Sequence, residues 1–388
     1  MRINEKHTIK NPFSRRKFIF QVSRWGVGSI VLSTMTSLVS CGGTTSTEKA
    51  DENKMKQKEG KKLGVALVGL GGYSGGQLAP ALQETEHCYL AGIVTGSPDK
   101  IDEWKNKYKI PEGNIYDYEN FDTIKDNPAI DIVYVVLPNS MHAEYTIRAA
   151  KAGKHVICEK PMAVTVEDCD RMISACKDAG KMLSIGYRLH FEPYNREMMR
   201  LGQEKVYGEI KKMVGENGMG SAGGWRLDKE LAGGGPLMDV GIYCIQAMRY
   251  VTGMEPIAVS AKEGKKTQPD KYKEVEESLI WQMEFPGNLI AECKTSYSEG
   301  MNLLRAEAVN GWFELSPAYG YGGIQGETSE GKMDFEDVNQ QALQMDDFAI
   351  AVKEERDTPV PGEMGKQDVK ILQAIYRAMQ TGERIEIT

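Results

Sequence analysis

The sequence predicts a chain of two parts: an α/β domain built on a doubly wound parallel sheet, then an α+β domain with a predominantly antiparallel, open sheet. Three observations predict this. From Leu63 to Ile185, apolar runs of strand length alternate with helical patterns. Glycines crowd directly behind the first of those runs. After Gly186, strand-like runs follow one another with few helices between them. The length of 388 residues suits two domains, and 41% hydrophobic with 27% charged residues is an ordinary globular balance. A net charge of −7 gives no basic footprint for nucleic acid. Seven cysteines form no CxxC pair and five histidines no HxH or HExxH spacing, so no metal site is expected.

The N-terminus reads as a targeting segment, residues 1–40, outside the fold. Ser14-Arg15-Arg16-Lys17-Phe18-Ile19 carries a twin arginine, and a moderately apolar stretch from Trp25 to Val39 follows. That stretch is too short and too polar for a membrane span. Leu38-Val39-Ser40-Cys41 looks like a bacterial lipobox, which would make Cys41 a lipidated first residue and the only link to a membrane. Residues 41–62 are polar, with almost nothing to bury, and read as a flexible tether.

The dinucleotide-binding domain is expected over residues 63–185. Leu63–Val68 is a buried strand by its apolar run, and Gly69-Leu70-Gly71-Gly72-Tyr73-Ser74 follows at once. Gly69 and Gly71 fit the first two positions of a dinucleotide fingerprint, with Ser74 at the third. Placed between a strand and a helix running to about Glu84, such a turn lets backbone approach a pyrophosphate at the helix N-terminus, as in a Rossmann domain. Gly69, Gly71, Gly72 and Tyr73 are therefore candidate cofactor contacts.

The second strand, Tyr89–Val94, ends in Thr95-Gly96-Ser97-Pro98-Asp99-Lys100. A site for NAD would place Asp or Glu at that tip to hold the ribose 2′-hydroxyl. Thr95 stands there instead and cannot repel a 2′-phosphate, which Ser97 and Lys100 could bind. NADP is expected over NAD. Ser97 and Pro98 also read as a helix start, so Lys100 is the sharper candidate.

Ile130–Leu137 is a near-continuous apolar run, as buried parallel strands are. Pro138, Asn139 and His142 follow at its carboxyl end, before a helix to Ala152, and with Leu137 they are candidate cofactor contacts. His142 would lie on the first helical turn, either structural or touching nicotinamide or substrate. A strand from Lys154 to Cys158, a helix from about Thr165 to Ala179 and a strand from Met182 to Ile185 complete an expected six-stranded sheet. Between the last strands stands Cys158-Glu159-Lys160-Pro161, at the edge where open α/β sheets bind ligands. Lys160 could donate to a substrate hydroxyl and help it lose a proton; alone, the tripeptide would pass for a surface loop.

The second domain is expected over 186–388. A helix is expected over about Pro193–Leu201. Strand-like runs cover Ile210–Val214, Ile257–Lys262, Glu277–Glu284, Leu289–Tyr297 and Leu303–Ala308. A helix from Pro236 to about Tyr250 interrupts them, opening on Gly233-Gly234-Gly235. Asp239 and Tyr243 are four apart and share a face of it. They read as a substrate clamp with an acid–base phenol, or as a structural hydrogen bond. Helices near Asn339–Lys353 and Gly365–Thr381 are expected to pack on the domain junction.

Gly69-x-Gly71, Leu137-Pro138-Asn139-x-x-His142, Cys158-Glu159-Lys160-Pro161 and Gly233-Gly-Gly-x-x-x-Asp239-x-Gly241-x-Tyr243 together resemble the motif series of the Gfo/Idh/MocA oxidoreductases, from about Leu63 to Glu386. Gly186-Tyr187-Arg188, Trp225-Arg226-Leu227, Glu230-Leu231-Ala232-Gly233 and Ile280-Trp281-Gln282-Met283 resemble the glucose–fructose oxidoreductases in particular. The dimeric dihydrodiol and xylose dehydrogenases are similar too, less strongly, and share the Tyr at position 243. The resemblance implies that Lys160 orients the reacting hydroxyl and lowers its pKa. It implies that Tyr243 is the general acid/base and that Asp239 binds the neighbouring hydroxyl. Arg188, Trp225 and Arg226 become candidate sugar contacts, and Glu159 and Arg188 further cofactor contacts. The substrate would be a sugar or polyol, and the second sheet would make a dimer or tetramer.

The resemblance is incomplete at one place. In glucose–fructose oxidoreductase a proline-rich N-terminal arm covers the cofactor; here Gly42–Lys62 is Lys-rich and contains no Pro. Export still favours a retained nucleotide, since no NADP pool exists outside the cell. Twin-arginine export moves folded protein, so the cofactor could be loaded first. The leading expectation is a ping-pong oxidoreductase on sugars or polyols, without disulfides among the cysteines after Cys41. An exported NAD-dependent glycosidase of the same fold, using transient oxidation and elimination, is the alternative. A sugar-binding lipoprotein with a dead site is the third reading, opposed by the presence of Lys160, Asp239 and Tyr243.

Overall fold

The structure is a computed structural model and describes residues 60–387. The twin arginine, Cys41 and nearly all of the tether lie outside the described residues.

Six parallel strands form the first sheet: β1 (Leu63–Val68), β2 (Cys88–Val94), β3 (Ile115–Tyr116), β4 (Ile132–Val135), β5 (His155–Cys158) and β6 (Leu183–Ile185), in the order β3-β2-β1-β4-β5-β6. This is the doubly wound order expected. The sixth strand is β3, a two-residue edge piece too short to show a period in the sequence. The register brings the strand ends to one level: Tyr116, Val94, Val68, Val135, Cys158 and Ile185 are successive partners across the sheet. Every loop that follows these strands therefore opens on the same edge.

Both faces of this sheet are apolar, so both need cover. On one face lie α2 (His142–Lys151) and α3 (Val166–Asp178), through Tyr145, Ala149, Met172 and Cys176. On the other lie the helix after the fingerprint and α1 (Ile101–Tyr108), through Leu78 and Trp104. That leaves Ile132, Tyr134 and Ile157 bare on the second face, and a helix from the far end of the chain covers them. This is α6 (Gln340–Glu354), which buries Ala342, Met345, Phe348 and Ala349 against them. Met345 and Phe348 each contribute roughly 1.5–3 kcal/mol, the alanines less. The boundary expected at Gly186 thus marks the change of sheet, but the chain after Asn339 returns to complete the first domain.

The second sheet has nine strands. They are β7 (Ile210–Gly218), β8 (Ala258–Glu263), β9 (Ser278–Phe285), β10 (Leu289–Ser296), β11 (Met301–Ala308), β12 (Gly311–Leu315), β13 (Gly326–Thr328), β14 (Gly331–Lys332) and β15 (Ile385–Glu386). Their order is β14-β13-β12-β11-β7-β10-β9-β8-β15, and every pairing is antiparallel except β7 with β10. β9 alternates cleanly: Leu279, Trp281, Met283 and Phe285 face the core, while Ile280 and Gln282 face out. Against the inner face pack α4 (Pro193–Gln203), α5 (Ile242–Thr252) and α7 (Gly362–Thr381). α7 belongs to both cores, with Ile371, Leu372 and Ile375 on the second and Val369 on the first, as expected of a helix at the junction.

Candidate active site

The fingerprint turn is built as the sequence predicts. Gly69 has φ +93°, and a Cβ there would lie 2.4 Å from the Val136 carbonyl oxygen, so only glycine fits. Ser74 is buried and donates from Oγ to the Gly69 carbonyl at 2.5 Å, locking the turn. The helix then starts with a wide π-type turn, Ser74–Leu78. A Cβ on Gly71 or Gly72 would meet nothing within 4 Å. The bare backbone there faces room, which is what a pyrophosphate requires. The turn therefore fits a dinucleotide.

At the tip of β2, Thr95 is buried and its Oγ1 accepts the Ser97 N–H at 3.0 Å, so it shapes the turn. Among the described residues the Ser97 hydroxyl makes no hydrogen bond. Lys100 reaches across and donates from Nζ to the Leu70 carbonyl at 2.9 Å. Its charge thus sits over the fingerprint turn.

His142 has no freedom to touch substrate or nicotinamide. It is fully buried, with Nδ1 2.9 Å from the Pro161 carbonyl and Nε2 2.8 Å from that of Leu137. It staples the loop after β4 to the loop after β5, so the structural alternative is the one observed. Asn139 is buried as well; its Nδ2 donates 2.8 Å to the Ala232 carbonyl and ties Leu137-Pro138-Asn139 to the second domain.

Lys160 and Asp239 meet between the domains. Lys160 Nζ lies 2.6 Å from the Asp239 carbonyl oxygen and 3.7 Å from its Oδ1. The same ammonium stands 4.7 Å from the centre of the Tyr243 ring. The two parts of the motif series, 79 residues apart in sequence, thus form one cluster. Asp239 lies in a second π-type turn, Leu237–Gly241, which leads into α5 and Tyr243. Such wide turns are rare and frequent at functional sites. The turn is held by Asn217 Nδ2 on the Val240 carbonyl at 3.0 Å and Thr295 Oγ1 on that of Pro236 at 3.3 Å.

Asp239 Oδ2 accepts Arg226 Nε at 2.6 Å and the Tyr297 hydroxyl at 3.3 Å. Burial alone would raise its pKa; the Lys160 ammonium and the Arg226 guanidinium outweigh burial and hold the carboxyl below its ordinary value. Glu159 behaves oppositely. Burial holds its carboxyl above the usual range, although the Tyr134 hydroxyl, at 2.6 Å, and Lys160 pull it down. Gln344 of α6 donates to that tyrosine oxygen at 2.9 Å, so the returning helix also braces Glu159.

Arg226 is committed to Asp239 and stacks on Trp225 at 4.8 Å, with both side chains partly exposed at the site's rim. Arg188 is not at the rim. It is 2% exposed, and its terminal nitrogens go to the carbonyls of Tyr319 at 2.7 Å and Gly320 at 2.8 Å and to Gln340 Oε1. Its guanidinium lies 5.2 Å from the Tyr243 ring and 4.4 Å from the Tyr321 ring. Arg188 therefore backs the tyrosines, with its two terminal nitrogens engaged by those protein oxygens. Sequence reasoning missed Tyr297, Tyr321, Glu276 and Gln340. The signal for Tyr321 was present, an aromatic alone in the run Gly320-Tyr321-Gly322-Gly323.

The cysteines Cys88, Cys158, Cys169, Cys176, Cys244 and Cys293 are buried free thiols. Burial pushes Cys88, Cys169, Cys176 and Cys244 up to about 12, which makes them inert. Among the described residues no helix is long and apolar enough to cross a membrane.

Comparison with known proteins agrees with this geometry. Residues 63–187 match the model of an oxidoreductase family with an NAD-binding Rossmann fold, and residues 195–309 match a GFO/IDH/MocA C-terminal domain. The chain is 28% identical over 344 residues to D-xylose 1-dehydrogenase [NADP(+)] of Haloarcula marismortui, covering 83% of this chain and 92% of that one. It is 30% identical to D-glucoside 3-dehydrogenase of Escherichia coli over 66% of this chain and 79% of the other. Among solved structures, the aldose-aldose oxidoreductase from Caulobacter crescentus superposes with a TM-score of 0.82 at 41% identity, covering 84% of this chain and all of that one. Two family models in series, over the two domains that meet at Lys160 and Asp239, make the chain a member of the Gfo/Idh/MocA oxidoreductases.

Proposed function

We propose that this protein is an NADP-dependent oxidoreductase of sugars or polyols that keeps its nucleotide and passes a hydride between two substrates in turn. The observation that carries it is the convergence of Lys160, Asp239 and Tyr243 at the carboxyl edge of the first sheet. Lys160 binds the reacting hydroxyl and stabilises the negative charge that develops on it. Tyr243, acting as its phenolate, takes the proton and becomes the phenol. The Asp239 carboxylate, kept ionised by Lys160 and Arg226, accepts a hydrogen bond from the adjacent hydroxyl. A bound nicotinamide would supply the hydride acceptor for the alcohol and the hydride donor for the carbonyl. In the return half the same phenol gives the proton back.

The relatives named for xylose, glucosides and aldoses support a sugar substrate. Lys100 over the fingerprint turn, with buried Thr95 in place of a carboxylate, supports NADP. The uncovered outer face of the second sheet, where Ile280 is half exposed, supports self-association. The Arg15-Arg16 pair and Leu38–Cys41 support an exported, lipid-anchored form. The test is to denature the purified full chain and identify the released nucleotide by mass, then to offer the native protein an aldose pair without added cofactor. Release of NADP(H), with one sugar oxidised as the other is reduced, is expected. No nucleotide and no turnover would end this reading; phenol release from aryl glycosides without an acceptor would replace it with the glycosidase.

A further inference from the structure

Tyr321 has a position that the chemistry above does not use. Its loop belongs to the second domain and is pinned on both sides. Asn302 Oδ1 accepts the N–H groups of Ala318 and Tyr319, both at 2.7 Å. Arg188 and Gln340, the latter at 3.1 Å, hold the Gly320 carbonyl. Beyond the tyrosine, Gly323 donates to Asp337 Oδ2 at 3.2 Å. On this fixed backbone the Tyr321 side chain stays 49% exposed, which apolar burial does not explain. Its ring instead reaches the fingerprint turn of the first domain. It lies 5.7 Å from the Tyr73 ring, tilted by 31°. Tyr73 directly follows Gly71 and Gly72, whose missing side chains leave open space.

Arg188 lies on the same cluster. Its Nε–H is buried without an acceptor, and its charge is felt by the buried Glu159 carboxylate without a direct ion pair. Two phenol rings and a buried guanidinium beside a bare glycine turn match a ligand that joins a flat ring to phosphates. The geometry points to Tyr321 as a nucleotide-binding residue: with Tyr73 beside it in one aromatic wall and Arg188 behind, it clamps the nicotinamide half of a dinucleotide from the second-domain side. This does the covering work of a proline-rich arm, Gly42–Lys62 containing no Pro. It rests on the site being that of a nicotinamide-nucleotide enzyme.

The test compares the purified full chain with Tyr321→Ala and Tyr321→Phe. NADPH fluorescence gives the affinity, and a chase with excess NADP gives the release rate. Loss of one aromatic contact should speed release by about two- to tenfold in Tyr321→Ala. Tyr321→Phe keeps the ring and should stay within about twofold of the parent. The half-exposed ring contributes little to the fold, so both variants should melt with the parent. Release from Tyr321→Ala at the parental rate overturns the clamp. So does equally fast release from both variants, since the hydroxyl and not the ring would then be acting. A parent chain that binds neither NADPH nor NADH removes the functional reading itself, a result distinct from the other two.

Discussion

Replacing Lys160 with methionine tests the site most directly. Methionine keeps most of the length and bulk but removes the charge and every donor. The ammonium is 2.6 Å from the Asp239 carbonyl and 3.7 Å from its carboxylate, and the side chain is only 11% exposed. With no positioned charge at the reacting oxygen, kcat/KM should fall by about 10²–10⁴, while nucleotide bound through the fingerprint turn remains. Stability should fall too, though less than the raw attraction suggests. At an effective dielectric of about 20, charges at this separation attract by about 4 kcal/mol. Arg226 and Tyr297 remain on the other carboxylate oxygen, however, and the lysine no longer has to be desolvated. A net loss of about 1–3 kcal/mol, a few degrees of Tm, is expected.

The pH dependence gives the sharper check. The folded pKa of Asp239 lies below the ordinary value of 3.8. Its contribution is therefore present above that value and lost as pH falls through the folded one. Lys160 is the first of the charges that depress it, so in Lys160→Met the folded value moves up toward the unfolded one, and the acid-induced loss is smaller and complete at higher pH. Sugar oxidation followed by nicotinamide absorbance, with thermal melts from acid to neutral pH, measures all three effects. A kcat/KM within tenfold of the parent, or an unchanged acid limb, would refute this reasoning.

His190 should act as an acid-sensitive weak point. Burial, with Arg196 adding, lowers its pKa from 6.5 to about 4, and Nδ1 is buried without a partner. It costs nothing above pH 6.5 and subtracts stability as pH falls toward 4, about 2 kcal/mol by pH 5. His190→Phe, packed against Phe191 and Tyr250, should lose less Tm than the parent between pH 7.5 and 5; an equal loss would count against this. Glu276 should position the Asp239 helix, because it accepts the N–H groups of Gly235 at 3.0 Å and Leu237 at 3.2 Å and the Tyr376 hydroxyl at 2.8 Å. Glu276→Gln turns one acceptor into a donor and should cost about 1–3 kcal/mol with roughly tenfold in kcat. Tyr376→Phe should cost about 1 kcal/mol, and parental melting of both would remove the anchor.

Much of the first domain was legible because its signals are local. A strand that is buried on both faces must be an apolar run, and a turn at φ +93° must be glycine at Gly69. β3 escaped because two residues carry no period. α6 was visible as a helix, but its place on the first sheet was not. That place is dictated by the bare face over Ile132, Tyr134 and Ile157, which exists only once the sheet has formed.

The site divides in the same way. Lys160, Asp239 and Tyr243 stood out because each sits at a recognisable junction of strand and loop or loop and helix. His142 stood out for the same reason and was harder to place. Its spacing located it on a helix's first turn, but only the packed structure shows two carbonyls claiming its ring nitrogens. Arg188 was expected to meet the sugar because the family resemblance implied it. What it donates to is set by Tyr319 and Gly320, more than a hundred residues later. Glu276 shows why such partners stay hidden. It is an ordinary glutamate beside a strand, yet a Cβ on Gly235 would lie 2.9 Å from its carboxyl carbon and one on Gly234 2.0 Å from the Tyr376 hydroxyl. The Gly233-Gly234-Gly235 run, visible as a helix start, is glycine in part because two distant side chains occupy the space. A motif records both what a segment does itself and what presses against it, and one chain's sequence separates the two only where the geometry is local.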